Sequence, residues 1–263
     1  MNSPRKNKDP GPLGQFARYA FAPLRLLYKL WVGLVFFLSL LVLYIPFRIL
    51  LYTENRYQKA FILKRYWSWF LSVFMGMPVH KKFLAELPEP PYIVCSNHSS
   101  YIDTALMYRV VPDYFLFMGK YELLKWPLFN IFFKDMNIAV NRSSHIEAHK
   151  AFLKAAQRID DGACLAIFPE GTISPNVPEM LRFKNGAFKL AVDKQVPIVP
   201  VTFKNNYKLF GDPETLLSRG RPGISNAVIH PHIETKGMTE DDLVSLRAQV
   251  FEVINSALPN GNR

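Results

Sequence analysis

Cysteine is nearly missing from this sequence: Cys95 and Cys164 are the only two in 263 residues. That excludes a disulfide-stapled secreted scaffold and any zinc site built on cysteine pairs. Both lie in apolar runs, as expected of buried, reduced thiols in a cytosolic protein. A thiol in a buried strand is normally inert, which makes Cys95 a poor nucleophile. Acidic side chains are also scarce, 21 against 32 basic ones, leaving a formal net charge of +11. Such a balance suits an anionic partner, whether nucleic acid, a phospholipid surface or a phosphate-bearing substrate. The sequence has no zinc-finger spacing, no RNA-binding signature and no long basic helix. Phe and Trp cluster beside the basic residues, so an anionic membrane surface is the expected partner and nucleic acid is not. No internal repeat occurs.

Charge of either sign vanishes over residues 30–47. That run is just long enough for a membrane-crossing helix. Basic residues flank both sides, Arg18, Arg25 and Lys29 before it and Arg48, Arg56, Lys59, Lys64 and Arg65 after it. The positive-inside rule therefore gives no orientation, and Pro46 should kink or end the helix. A second apolar run, residues 66–75, is too short to span comfortably but rich in aromatics. Two helices that return the chain to one basic side account for both runs. Residues 15–76 thus read as a membrane-embedded helical hairpin, dipping into one leaflet or spanning with a shallow return. The polar, basic residues 1–14 ahead of it read as a disordered tail, ill suited to a cleaved signal peptide. The competing expectation is a pair of core helices in a soluble bundle, disfavoured because the first run is apolar all round.

From residue 77 to residue 263 the composition is that of an α/β domain. Residues 78–83 alternate like an edge strand. Apolar strands are expected at 92–95, 114–118, 137–140, 164–168, 196–203 and 227–229. Helices are expected from 104 to 110, from 120 to 133 with a break at Pro127, from 145 to 160 and from 186 to 193. A long loop or lid is expected over 204–224. A capping box from Thr239 to Asp242 opens a closing helix with Leu243, Leu246, Val250, Ile254 and Ala257 on one stripe. Strands alternating with helices imply a mostly parallel central sheet flanked by helices.

Three polar knots follow such strands. The first is Asn97-His98-Ser99-Ser100-Tyr101-Ile102-Asp103. On one helix, residues five apart point about 140° away from each other. His98 and Asp103 therefore meet only if His98 lies in the turn before a helix and Asp103 in its first turn. A histidine held by a carboxylate is a base of fixed tautomer. Ser100 with Asp103 also fits a plain helix cap, and from these residues alone both readings stand. The second knot is Asn141-Arg142, where a guanidinium suits a phosphate. The third is Pro169-Glu170-Gly171-Thr172, whose backbone N–H groups suit an anion and whose carboxylate could orient Arg142 or accept from a substrate hydroxyl. Each could equally be a surface residue or an ordinary turn. In a parallel sheet their strand ends share one edge, which brings the knots toward one crevice. His145 and His149 have metal-compatible spacing, but a solvated helix face explains them as well.

These blocks resemble the lysophospholipid acyltransferase family, the bacterial 1-acyl-sn-glycerol-3-phosphate acyltransferases in particular. Residues 97–103 match its first block, His with Asp five positions on. Residues 136–142 resemble the second, 168–174 the third and 196–201 the fourth. Lys120-Tyr121-Glu122-Leu123 and Phe183-Lys184-Asn185-Gly186-Ala187 resemble further family segments, and the likeness covers roughly residues 77–258. Relatives usually carry Gly where Met136 stands, Asp where Asn141 stands and often Arg where Ile173 stands. The last two changes remove charge near the expected acceptor pocket.

The resemblance implies a membrane enzyme that moves a fatty acyl group from a thioester, acyl-CoA or an acyl-carrier protein, to a lysophospholipid hydroxyl. The active site would lie on the cytoplasmic side of the inner membrane. It implies His98 as base, Asp103 as its holder, and Arg142, Glu170, Gly171 and Thr172 around the glycerol-phosphate end. Lys184 and Lys120 are further candidates for phosphate or donor contacts. Neither a metal nor a bound cofactor is required. A lyso-amino-acid lipid as acceptor, and a non-catalytic membrane scaffold on the same fold, are the alternatives.

Overall fold

The computed structural model describes residues 20–125, 128, 130–132, 136–141, 143–212 and 218–259. The tail over residues 1–14, the break at Pro127 and Arg142 lie outside the described residues. So does the middle of the expected lid, residues 213–217.

The described residues begin with two antiparallel helices, α1 (Ala22–Leu50) and α2 (Tyr57–Phe74), joined through a 3₁₀ turn at Glu54–Arg56. Pro46 lies inside α1 and does not end it; four more residues follow in the helix. The second helix is also longer than its apolar run, because its first turns face the protein and not a lipid-like surround. Paired contacts zip the two together. Trp67 Nε1 donates to Ser39 Oγ at 2.8 Å, Trp31 Nε1 donates to the Phe74 carbonyl at 2.8 Å, and the Tyr28 hydroxyl donates to the Met75 carbonyl at 2.6 Å. The Trp67 ring packs on Phe36 and Phe47.

The two helices differ in what they bury. α2 is fastened to the α/β part: Phe61 packs edge-on against Phe115 and Tyr114, and Ser68 Oγ donates to the Ala105 carbonyl at 2.6 Å. α1 presents Leu24, Leu27, Leu34, Phe37, Leu38, Leu41, Val42 and Ile45 to the outside, with Val42 75% exposed. At 29 residues it is long and apolar enough to cross a membrane.

Among the described residues seven strands form one sheet, β1 (Val79–Phe83), β2 (Ile93–Ser96), β3 (Phe115–Lys120), β4 (Ile138–Val140), β5 (Cys164–Ile167), β6 (Ile198–Phe203) and β7 (Ser225–Ile229). Their order is β1-β7-β6-β2-β5-β3-β4. Every neighbouring pair is parallel except β6 with β7. β2 and β6 are buried at every position, with no alternation, as helices on both faces demand. Those helices include α3 (Ile102–Val110), α4 (His145–Asp160), α5 (Gly186–Lys194) and α7 (Leu243–Ser256). Leu246, Val250 and Ile254 are the buried stripe of α7, and the Thr239 capping box precedes it on a 3₁₀ turn. This is the expected architecture, a mostly parallel sheet between helices behind an apolar helical hairpin.

Two expectations need correction. Tyr121–Lys125 is a 3₁₀ turn and not the start of an α-helix; a run interrupted by Pro127 is too short to sustain one. The segment after β6 is not plain loop. It forms the short helix α6 (Asn206–Leu209), and Phe210 pairs with Gly220 in an isolated bridge. Asn205 fastens α6 to the start of β7, its side chain holding both the Ile224 carbonyl and the Asn226 N–H at 2.8 Å.

Candidate active site

Because β2, β5, β3, β4 and β6 run the same way, their C-terminal ends share one edge of the sheet. β7 runs opposite, so its first residue, Ser225, arrives at that same edge. Asn97 fixes the edge at its centre. Its carboxamide donates to the Phe203 carbonyl at 3.0 Å and accepts from the Phe203 N–H at 2.8 Å, tying the end of β2 to the end of β6.

His98 follows in the turn, and Asp103 lies in the first turn of α3, as the five-residue spacing requires. Asp103 is fully buried. Its Oδ2 accepts from the backbone N–H groups of Ser99 and Ser100 at 2.7 and 2.9 Å and lies 3.1 Å from His98 Nδ1. Its Oδ1 accepts from Asn206 Nδ2 at 2.8 Å. The helix-cap and histidine-partner readings are thus both realised in one carboxylate: it binds the N–H groups ahead of α3 and holds the imidazole. An ionised carboxylate on Nδ1 leaves the proton there and the lone pair on Nε2. Nε2 has no hydrogen-bond partner among the described residues, and the His98 side chain keeps 18% of its surface exposed. The ring stacks on Phe168 with centroids 4.2 Å apart and planes 14° from parallel, which fixes its tilt. Ser99 Oγ, next in the chain, is buried without a partner among the described residues.

Glu170 is buried and spends both oxygens on backbone: Oε1 accepts from the His98 N–H at 2.8 Å and Oε2 from the Leu181 N–H at 2.7 Å. Burial pushes its carboxyl up to about 7, against the downward pull of those two donors. Gly171 takes a positive φ of 77°, where a side chain would be strained, and donates its N–H to the Phe168 carbonyl at 2.9 Å. Thr172 is exposed beside it. The Lys184 N–H donates to the Pro169 carbonyl at 2.9 Å, so that exposed lysine joins the same turn. The first and third knots therefore meet. Arg142 and the Lys120 side chain lie outside what is described; Lys120 is the last residue of β3. Cys95 is buried in β2 with its thiol pushed far up by burial, and burial likewise drives the Cys164 thiol up to about 12.

Asn206, Ser225 and Phe168 were not singled out from sequence. Phe168 is the first residue of the third block. Asn206 and Ser225 lie more than a hundred positions from His98, the first within the expected loop over 204–224 and the second just beyond it, and no local pattern marks them.

A His–Asp pair in a strand–turn–helix passage, at the C-terminal edge of a mostly parallel sheet, defines an α/β protein built for chemistry at that edge. Residues 78–204 match the family model described as Acyltransferase, so this part of the chain is similar to that family. The 1-acyl-sn-glycerol-3-phosphate acyltransferase alpha of Mus musculus is 34% identical over 172 residues, which are 62% of this chain and 57% of that protein. The 1-acyl-sn-glycerol-3-phosphate acyltransferase of Haemophilus influenzae is 28% identical over 168 residues, 63% of this chain and 68% of the relative. The chain thus spans little more than half the length of the mouse protein. In structure it is similar to the 1-acyl-sn-glycerophosphate acyltransferase of Thermotoga maritima, with a TM-score of 0.68 at 24% identity, covering 90% of this chain and 94% of the other. That likeness establishes the shared fold.

Proposed function

We propose that the protein is a membrane-bound 1-acylglycerol-3-phosphate O-acyltransferase, moving a fatty acyl group from a thioester donor to the free sn-2 hydroxyl and giving phosphatidic acid. The observation that carries this reading is the His98–Asp103 pair, with Nδ1 on the carboxylate and Nε2 without a hydrogen-bond partner among the described residues. The acceptor and donor classes are those in the names of the relatives.

In the proposed step His98 Nε2 takes the proton of the acceptor hydroxyl as its oxygen attacks the thioester carbonyl carbon. The C–O bond forms and the C–S bond breaks. The proton passes from His98 to the departing sulfur, so the products are an ester and a free thiol. Asp103 stabilises the imidazolium between these events. A thiolate leaves readily, so no acyl-enzyme is required. The two buried free thiols and the apolar outer face of α1 support a cytoplasm-facing site on a membrane. The exposed Lys184 and the basic balance of the chain suit an anionic acceptor and donor, acyl-CoA or an acyl-carrier protein.

The test offers purified protein a panel of lysolipids with each donor and identifies products by mass spectrometry. Phosphatidic acid is the expected product, and His98→Ala should lose about 10²–10⁴-fold in rate while membrane association persists. Full activity in that variant sinks the mechanism. Neutral residues at Asn141 and Ile173 favour a second acceptor, such as a lyso-amino-acid lipid; acylation of that lipid in preference to 1-acylglycerol-3-phosphate would select it. No product from any pair would leave the scaffold reading.

A further inference from the structure

We infer that Asn206 is a positioning residue for the His98–Asp103 pair, with Ser225 fixing the direction of its amide. The inference rests on the acyl-transfer reading above and deepens it.

Three of the donors on Asp103 come from within five residues: the N–H groups of Ser99 and Ser100, and His98 Nδ1, all on Oδ2. Asn206 Nδ2 alone serves Oδ1 among the described residues, and it comes from across the sheet edge. A carboxylate only accepts, so the amide must present its NH₂ to Asp103 and its oxygen to the other side. There Ser225 Oγ donates to Asn206 Oδ1 at 2.6 Å. Asp103, Asn206 and Ser225 are all fully buried, so none of these groups exchanges its partner for bulk water.

The segment that carries Asn206 is itself held at both ends. Asn205 grips the start of β7, and Ser100 Oγ, from the catalytic turn, donates to the Phe210 carbonyl at 2.5 Å. The amide is thus aimed from the start of β7 and from the turn ahead of α3. Its dipole stabilises the Asp103 charge and sets how firmly that charge holds the imidazole. Among the described residues, the titratable groups facing Asp103 are His98, from the turn after β2, and Glu170, from the turn after β5. From the β6 and β7 side Asn206, with Ser225 behind it, faces Asp103 among the described residues, and neither carries a charge.

Removing the Asn206 donor concentrates negative charge on Asp103 and strengthens its hold on the protonated ring. The pH at which the base loses its proton then rises. The test uses Asn206→Leu and Ser225→Ala in the full chain. It follows kcat and KM against pH. Independently of any acyl transfer, it also follows the pH dependence of His98 carbethoxylation by diethyl pyrocarbonate, read by peptide mass spectrometry.

For Asn206→Leu, kcat should fall about tenfold or more, with KM for both substrates held within about twofold. The midpoints of the acid limb and of the modification profile should both move up by about half a pH unit. Ser225→Ala should move them the same way by less. A purely structural role would lower the yield of active protein and leave both midpoints in place; unchanged midpoints in folded Asn206→Leu overturn the inference. If that variant does not fold, unchanged midpoints in Ser225→Ala overturn it. A wild-type protein that transfers no acyl group, while the His98 modification midpoint still shifts in Asn206→Leu, removes the acyl-transfer reading and supports the coupling of Asn206 to His98.

Discussion

Both oxygens of Glu170 accept from backbone N–H groups, one of them that of His98 itself. A protonated carboxyl keeps a lone pair on each oxygen, whereas an amide nitrogen has none to offer. Glu170→Gln should therefore set an NH₂ against an N–H and cost about 1–3 kcal/mol. Activity should drop with it as the His98 turn shifts, a loss measurable as kcat together with the melting temperature. The same residue carries a pH dependence. Its folded-state pKa, about 7, lies above its ordinary value of 4.5, so the folded chain binds this proton more tightly than the unfolded one. The resulting stabilisation is full below about pH 4.5 and is lost as the pH rises through about 7, on the order of 3 kcal/mol in all. Melting temperatures of wild type measured against the non-titrating Glu170→Gln should show that advantage shrinking across the window; a constant difference would refute the sign.

At the scale of elements, α2 belongs as much to the α/β core as to the hairpin. Phe61, 3% exposed, packs on Tyr108, Tyr114 and Phe115. Truncation of such a ring typically costs about 3–5 kcal/mol. Removal of residues 1–76 should therefore leave an aggregating remainder, checked by size exclusion and circular dichroism; a soluble, folded remainder would contradict the packing.

The strands, most helices and the meeting of His98 with Asp103 were legible because each depends on short-range pattern: apolar runs, a five-residue spacing, a capping box. What was not legible depends on the sheet. The role of Glu170 is set by which N–H groups face it, and those belong to His98, 72 residues away, and Leu181, 11 residues on. The structure of the segment after β6 was hidden because its polar residues resemble loop composition, yet Asn205 and Asn206 spend their side chains on β7 and on Asp103.

At the scale of the whole molecule, a net charge of +11 accompanies an exposed apolar face on α1. On anionic vesicles the charge should concentrate the protein and its acceptor at one surface. The screening length falls from about 10 Å at 0.1 M salt to about 3 Å at 1 M. Activity on anionic vesicles, relative to zwitterionic ones, should therefore decline across that range; a salt-independent ratio would show that the apolar face alone governs attachment.

The reversed strand β7 has a consequence for synthesis. Residues 98 and 103 leave the ribosome together, but Asn206 and Ser225 follow only after more than a hundred further residues. A nascent chain makes the apolar helix α1 before its histidine–aspartate pair, yet that pair lacks Asn206 for about another hundred residues. A chain released between the two stages would carry the apolar helix with the His98–Asp103 pair still unbraced by Asn206.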